Sequence, residues 1–222
     1  GGDCPGKGFC AVYASSSVLS LDSVKVSDTS GYWAPGIRAT DSDLNLTDVT
    51  VSSVTSTTNG AGVTIWNSSL DAENLTISDC VGEYGAGLHL DGAVATIVDV
   101  SLRNNTAATY GGGIYARGSE LSVAGGDILY TSAGNGGGIH AQSNSTALFS
   151  GVDIQANEGT GDDARGGGAY VHFGVSGDAT EVEFSSCDFG TGSGENSVLD
   201  VEVQDSSYDE TFHDFTGVTS AT

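Results

Sequence analysis

Apolar residues recur along this chain in alternating pairs, and the pairs themselves recur with a fixed period. A small residue followed by β-type alternation appears as AVYA at Ala11, GIRA at Gly36, GVTI at Gly62 and GLHL at Gly87. It returns as GIYA at Gly113, GIHA at Gly138 and GAYV at Gly168, at intervals of 25, 26, 25, 26, 25 and 30 residues. Eight and ten residues after each anchor stand Leu19 and Leu21, Leu44 and Leu46, Leu70 and Ala72, Ala95 and Ile97, Leu121 and Val123. Thirteen and fifteen after it stand Val24 and Val26, Val49 and Val51, Leu75 and Ile77, Val100 and Leu102, Gly126 and Ile128. With small insertions the same positions read Val152 and Ile154, then Val182 and Phe184. Alternation with period two predicts strands, and Gly, Ser, Asn and Asp between the runs predict turns.

One such unit cannot bury its own apolar face, so the units must stack. The pattern predicts an all-β fold, a right-handed parallel β-helix of about 7–8 coils of ~25 residues with three short strands per coil. Residues 1–10 are expected to form an N-terminal cap, 11–190 the β-helix, and 191–222 a last rung (Val198, Val201, Val203) with a C-terminal cap that includes Phe212 and Phe215. A further row, Thr29, Val54, Cys80, Asn105, Thr131, Asn157 and Cys187, fits a turn whose polar groups are satisfied between rungs.

These units resemble the right-handed parallel β-helix repeats of bacterial surface proteins, of the polymorphic outer-membrane protein and autotransporter-passenger type. The likeness rests on GGGI at Gly111 and Gly136, GGGA at Gly166, LRNN at Leu102 and IQAN at Ile154, and covers roughly residues 8 to 190. The pattern is broken where Cys80, Thr131 and Cys187 replace asparagine and where several anchors carry a single glycine. The resemblance implies an extracellular location and a display or adhesion role, as part of a surface structure or a longer passenger.

Composition narrows the partners. The 222 residues carry 29 Asp+Glu against 6 Lys+Arg, a net charge of -23. Such a surface repels phosphate backbones and anionic lipid, which excludes nucleic acid. No apolar run approaches the length of a membrane span, so no membrane insertion of this segment is expected. The chain opens Gly1-Gly2-Asp3 and holds no methionine, as a processed or trimmed chain would.

The first strand of each unit carries the most chemistry. Two residues after the anchor stand Tyr13, Arg38, Thr64, His89, Tyr115, His140 and Tyr170; four after it stand Ser15, Thr40, Trp66, Asp91, Arg117, Gln142 and His172. Both rows alternate with the core positions and so point outward. Tyr13, Arg38, Trp66, His89, Tyr115, Arg117, His140, Tyr170 and His172 are the candidate face for a glycan or a cell-surface protein, since aromatic rings with polar tips supply contact area at low entropic cost. Cross-rung packing that only stabilises the sheet is the competing reading. Polysaccharide-degrading β-helix enzymes, pectate-lyase-like or polygalacturonase-like, are the alternative. They gather carboxylates beside Arg or Lys, whereas here no two arginines share a row beside clustered aspartates, and no catalytic residue is assigned.

No cofactor is implied, with calcium the one candidate: Asp162 and Asp163 in the loop GTGDDARGGG suit a weak carboxylate site. Cys4 and Cys10, flanking Pro5 and Gly6, are expected to close a disulfide cap, while Cys80 and Cys187 are expected to be buried free thiols. Sequons occur at Asn45, Asn67, Asn74, Asn104 and Asn144 and would be used only in a glycosylating host. A rod with two open ends also suits homo-oligomers or end-to-end filaments.

Overall fold

A computed structural model describes residues 2–4, 8–33, 35–161, 164–172, 179–190, 196 and 201–204. They form a parallel β-solenoid of three sheets. The first face stacks eight strands: Val12–Ser15, Ile37–Thr40, Val63–Trp66, Leu88–Asp91, Ile114–Arg117, Ile139–Gln142, Ala169–His172 and Val201–Gln204. Their register aligns Ile37, Val63, Leu88, Ile114 and Ile139, so the anchors one residue earlier coincide on every rung.

The second face joins the second and third apolar pairs of each unit in one ten-stranded sheet. In the central coils the two pairs are a single bent strand, Ser69–Ser78, Val94–Arg103 and Glu120–Leu129. Asn74, Asp99 and Gly125 make the bend with positive φ, a conformation that Asn, Asp and Gly accept most readily. A six-stranded third face lies in the segment that the sequence reads as a turn: Ser30–Gly31, Thr55–Ser56, Val81–Tyr84, Thr106–Tyr110, Ser132–Ala133 and Glu158–Gly159.

The core runs the length of the stack. Leu44, Leu46, Ile65, Leu70, Leu75, Ile77, Leu88 and Leu90 are buried, and Phe149, Phe184 and Phe189 fill the later coils with ring centroids 5.3 and 5.1 Å apart. In the first coil Val12, Leu19, Leu21 and Val24 are only partly buried, because the next coil covers one side of them and, among the described residues, no preceding coil covers the other.

Two internal ladders satisfy the backbone at the corners. Asn105 Oδ1 accepts from the Cys80 amide at 3.0 Å, and its Nδ2 donates to the Ile77 carbonyl at 3.0 Å. Asn157 does the same for Thr131 and Ile128, and Asn196 for Asn157 and Ile154. Each asparagine thus closes the turn of the coil before it. A second ladder was not read from the sequence. The hydroxyls of Ser42, Ser68, Ser119, Ser145 and Thr180 accept amides from Ser17, Ser42, Ala93, Ser119 and Asn144, one coil back.

The seventh unit departs from the expected alignment. Val182 and Phe184 pair with Ala147 and Phe149, so they belong to the second strand and not the third. Asp188 bridges Asp153, which places Cys187 level with Val152. Asn196, not Cys187, therefore occupies the asparagine row. The cause is extra chain between His172 and Glu181, which delays the second strand beyond the regular spacing.

The glycine-rich anchor has a steric basis. A Cβ on Gly113 would lie 2.6 Å from the Gly138 carbonyl oxygen and 2.8 Å from Ile128 Cγ2, since the next rung passes directly beneath. Gly111, two residues earlier, sits at φ +61.

At the N-terminal end Gly2–Cys4 pairs antiparallel with Gly8–Cys10, opposing Cys4 to Gly8 and Cys10 to Gly2. The Cys4 side chain lies outside the described residues, as do Val198, Phe212 and Phe215. Cys80 and Cys187 are buried free thiols; burial raises both pKa values, that of Cys80 to about 11. No helix is long and apolar enough to cross a membrane among the described residues.

Candidate functional site

The two outward rows of the first face are in register on adjacent rungs, Thr64–His89–Tyr115–His140–Tyr170 beside Trp66–Asp91–Arg117–Gln142–His172. The first row, however, is not at the surface. Arg38, Thr64, His89, Tyr115, His140 and Tyr170 are all buried, and Tyr13 is half-buried. The chain returning from the third face folds over them. It brings Trp33 to 5.6 Å from Trp66, Tyr84 to 5.7 Å from Tyr115, and Tyr110 to 4.4 Å from His140, measured between ring centroids.

Trp33, Tyr84 and Tyr110 were not picked out from the sequence, although a signal exists. Each stands three residues before an anchor, in a row with Asn59, Asn135 and Arg165. These side chains form a wall along one side of the first face, and the outer row from Trp66 to Gln142 forms the other. Between them lies an open groove of about 390 Å³. Its lining is Asn59, Trp66, Tyr84, His89, Asp91, Tyr110, Tyr115, Arg117, Gln142 and Ser143.

Polar contacts order this lining. Gln142 Oε1 accepts from His140 Nε2 at 3.2 Å and from His172 Nδ1 at 3.3 Å, while Gln142 Nε2 donates to Tyr115 Oη at 2.7 Å. His89 Nδ1 lies 3.1 Å from the Tyr84 carbonyl, which defines it as the donor. Burial pushes the His89 pKa down and that of His140 down to about 3, so both rings are neutral at pH 7. Burial also raises the Tyr115 phenol to about 12. At the rim Arg117 Nη1 meets Asp91 Oδ2 at 3.5 Å.

Arg38 lies at the end of the same face. Its guanidinium carbon is 5.7, 5.3 and 5.2 Å from the ring centroids of Tyr13, Trp33 and Trp66. Nε and Nη1 are buried without a hydrogen-bond partner, and desolvation lowers the pKa of the group. Three aromatic faces supply the electrostatic compensation that a carboxylate usually gives a buried arginine.

Of the other expected sites, Asp162 and Asp163 lie outside the described residues. Among those described, no three His, Cys, Asp or Glu side chains are placed to hold a metal ion. Asn67, Asn74, Asn104 and Asn144 are exposed at positive-φ corners, and Asn45 is half-buried on the second face. A second cavity of about 620 Å³ runs along the corner beside the serine ladder, lined mainly by serines with Asp41, Asp43 and Asn67. Comparison with protein-family models, with curated proteins and with solved structures finds no match to this chain.

Proposed function

We propose that this protein is an extracellular structural or adhesive β-helix module that binds a glycan or a cell-surface protein through the first-face groove. The observation that carries this reading is the groove itself. It is lined by Trp66, Tyr84, Tyr110 and Tyr115, with Asp91, Arg117 and Gln142 as polar groups converging on it. Rings at one rung per ~4.8 Å present a rigid, regular surface whose order costs little on binding. The groove is lined by a single carboxylate, Asp91, whereas glycoside hydrolysis calls for a flanking pair. That favours binding over the polysaccharide-degrading alternative.

The same reading places the molecule among the repeat modules of bacterial surface proteins, as a filament subunit or part of a longer passenger. The partly exposed Leu19, Leu21 and Val24 in the first coil suit end-to-end stacking on another coil. A Cys4–Cys10 bridge and calcium at Asp162 and Asp163 belong to this proposal as accessories of an extracellular life, joined in a glycosylating host by glycans on the sequons. An immobilised array of glycans and surface proteins, probed with wild type and with Trp66→Ala, tests the binding face. Retention that the substitution abolishes, at unchanged circular dichroism, supports it; a flat array, or retention indifferent to Trp66, refutes it.

A further inference from the structure

Resting on that reading of the first-face groove, we infer that its ligand is a neutral glycan, an unsulfated chain without uronic acids. Charge selects that class. The groove holds one carboxylate and one guanidinium, Asp91 and Arg117, in contact at 3.5 Å, so their charges cancel locally. Its one imidazole adds none: His89 is buried with Nδ1 on the Tyr84 carbonyl, and the neighbouring His140, outside the lining, is buried beneath Tyr110, 4.4 Å away. Arg38, the other cation of this face, is only 5 % exposed and enclosed by Tyr13, Trp33 and Trp66, so an anion cannot reach its Nε or Nη1. Among the residues that line the groove, no uncompensated positive charge is therefore presented, while the whole chain carries -23. A polyanion would approach against that field with no unpaired arginine or lysine in the groove lining to meet it.

What the groove does offer suits hydroxyl-bearing rings. Trp66 and Tyr84 give aromatic surface for the apolar faces of pyranoses, and Asp91 accepts from hydroxyls while Arg117 and Asn59 donate to them. The outer row from Trp66 through Asp91 and Arg117 to Gln142 spans three rung spacings, about 14 Å, enough for a short run of sugars.

Titration calorimetry with defined oligosaccharides decides the matter, using cello-, chito- and malto-tetraose against tetramers of polygalacturonate and alginate. The expected result is saturable binding of at least one neutral tetramer, little changed between 50 and 500 mM salt, and none of the acidic ones. Asp91→Asn removes the charged acceptor and the balance of charge together. It should weaken the neutral ligand about tenfold, the loss expected for a hydrogen bond to a charged group, and allow salt-sensitive binding of the uronates. Binding of uronates alone by the wild type overturns the inference and leaves the groove as a binding site. Binding of neither class overturns the inference together with the glycan side of the proposed function.

Discussion

Replacing His140 by phenylalanine should change how the stability of this protein depends on pH. The imidazole is buried against Tyr110, Tyr115, Tyr170 and His172, and its Nδ1 has no hydrogen-bond partner. In the unfolded chain it takes up a proton near its ordinary pKa of 6.5, but burial in the folded protein holds that value at about 3. The unfolded state therefore binds more protons throughout the window from 6.5 down to 3. Stability contributed by the neutral imidazole is complete above 6.5 and is lost progressively as the pH falls through that window. Between pH 7 and pH 5 the loss is about 2 kcal/mol, from 1.36 kcal/mol per pH unit over the part of the window crossed. For a domain of this size that lowers Tm by roughly 4–8 °C.

Carboxylates titrate over the same range and, in a chain of net charge -23, their protonation relieves repulsion. They are common to both proteins, so the difference between wild type and His140→Phe isolates the one group. Urea unfolding at pH 5, 6 and 7 should show the wild type losing about 2 kcal/mol relative to the variant, and imidazole NMR should show no protonation of His140 at pH 5. Parallel stability profiles, or an NMR midpoint near 6.5, would refute the burial argument.

Three further outcomes follow from the coil geometry. Gly113→Ala forces a Cβ to 2.6 Å from the Gly138 carbonyl and should cost about 3 kcal/mol in urea unfolding, whereas Gly151→Asn, where a Cβ meets nothing within 4 Å, should stay within about 0.5 kcal/mol. Asn105→Ala strands the Cys80 amide and the Ile77 carbonyl in the interior and should cost about 3 kcal/mol by the same assay. Tyr130 is 61 % exposed yet held at φ +57, so Tyr130→Asn should raise stability by about 1 kcal/mol, seen as a higher Tm; a lower Tm would mean that its ring contributes more than its backbone conformation costs.

The period of small and apolar residues was enough to place the first seven first-face strands in register, because a parallel stack repeats each position one rung on. It also located Asn105 and Asn157 as turn-closing residues, since an amide that serves the coil before it must recur at the coil length. It misjudged the seventh unit because alternation alone cannot tell a second strand from a third when extra residues intervene. Val182 and Phe184 alternate equally well in either place, and only pairing with Ala147 and Phe149 decides between them.

The candidate site shows the same division. Alternation along one strand determines which side chains leave the core, and Tyr13, Arg38, His89, Tyr115, His140 and Tyr170 do leave it. Whether a side chain that leaves the core reaches water depends on what the rest of the chain lays over it. Here Trp33, Tyr84 and Tyr110, arriving from the third face, cover that row and leave the groove between themselves and the line from Trp66 to Gln142. Periodicity is a property of neighbours along the chain and was readable in the sequence. Burial of the outward row combines close contacts such as Trp33 with Arg38 and Tyr84 with His89 and contacts across rungs such as Trp33 with Trp66 and Tyr110 with His140, and only the folded coil brought the two together.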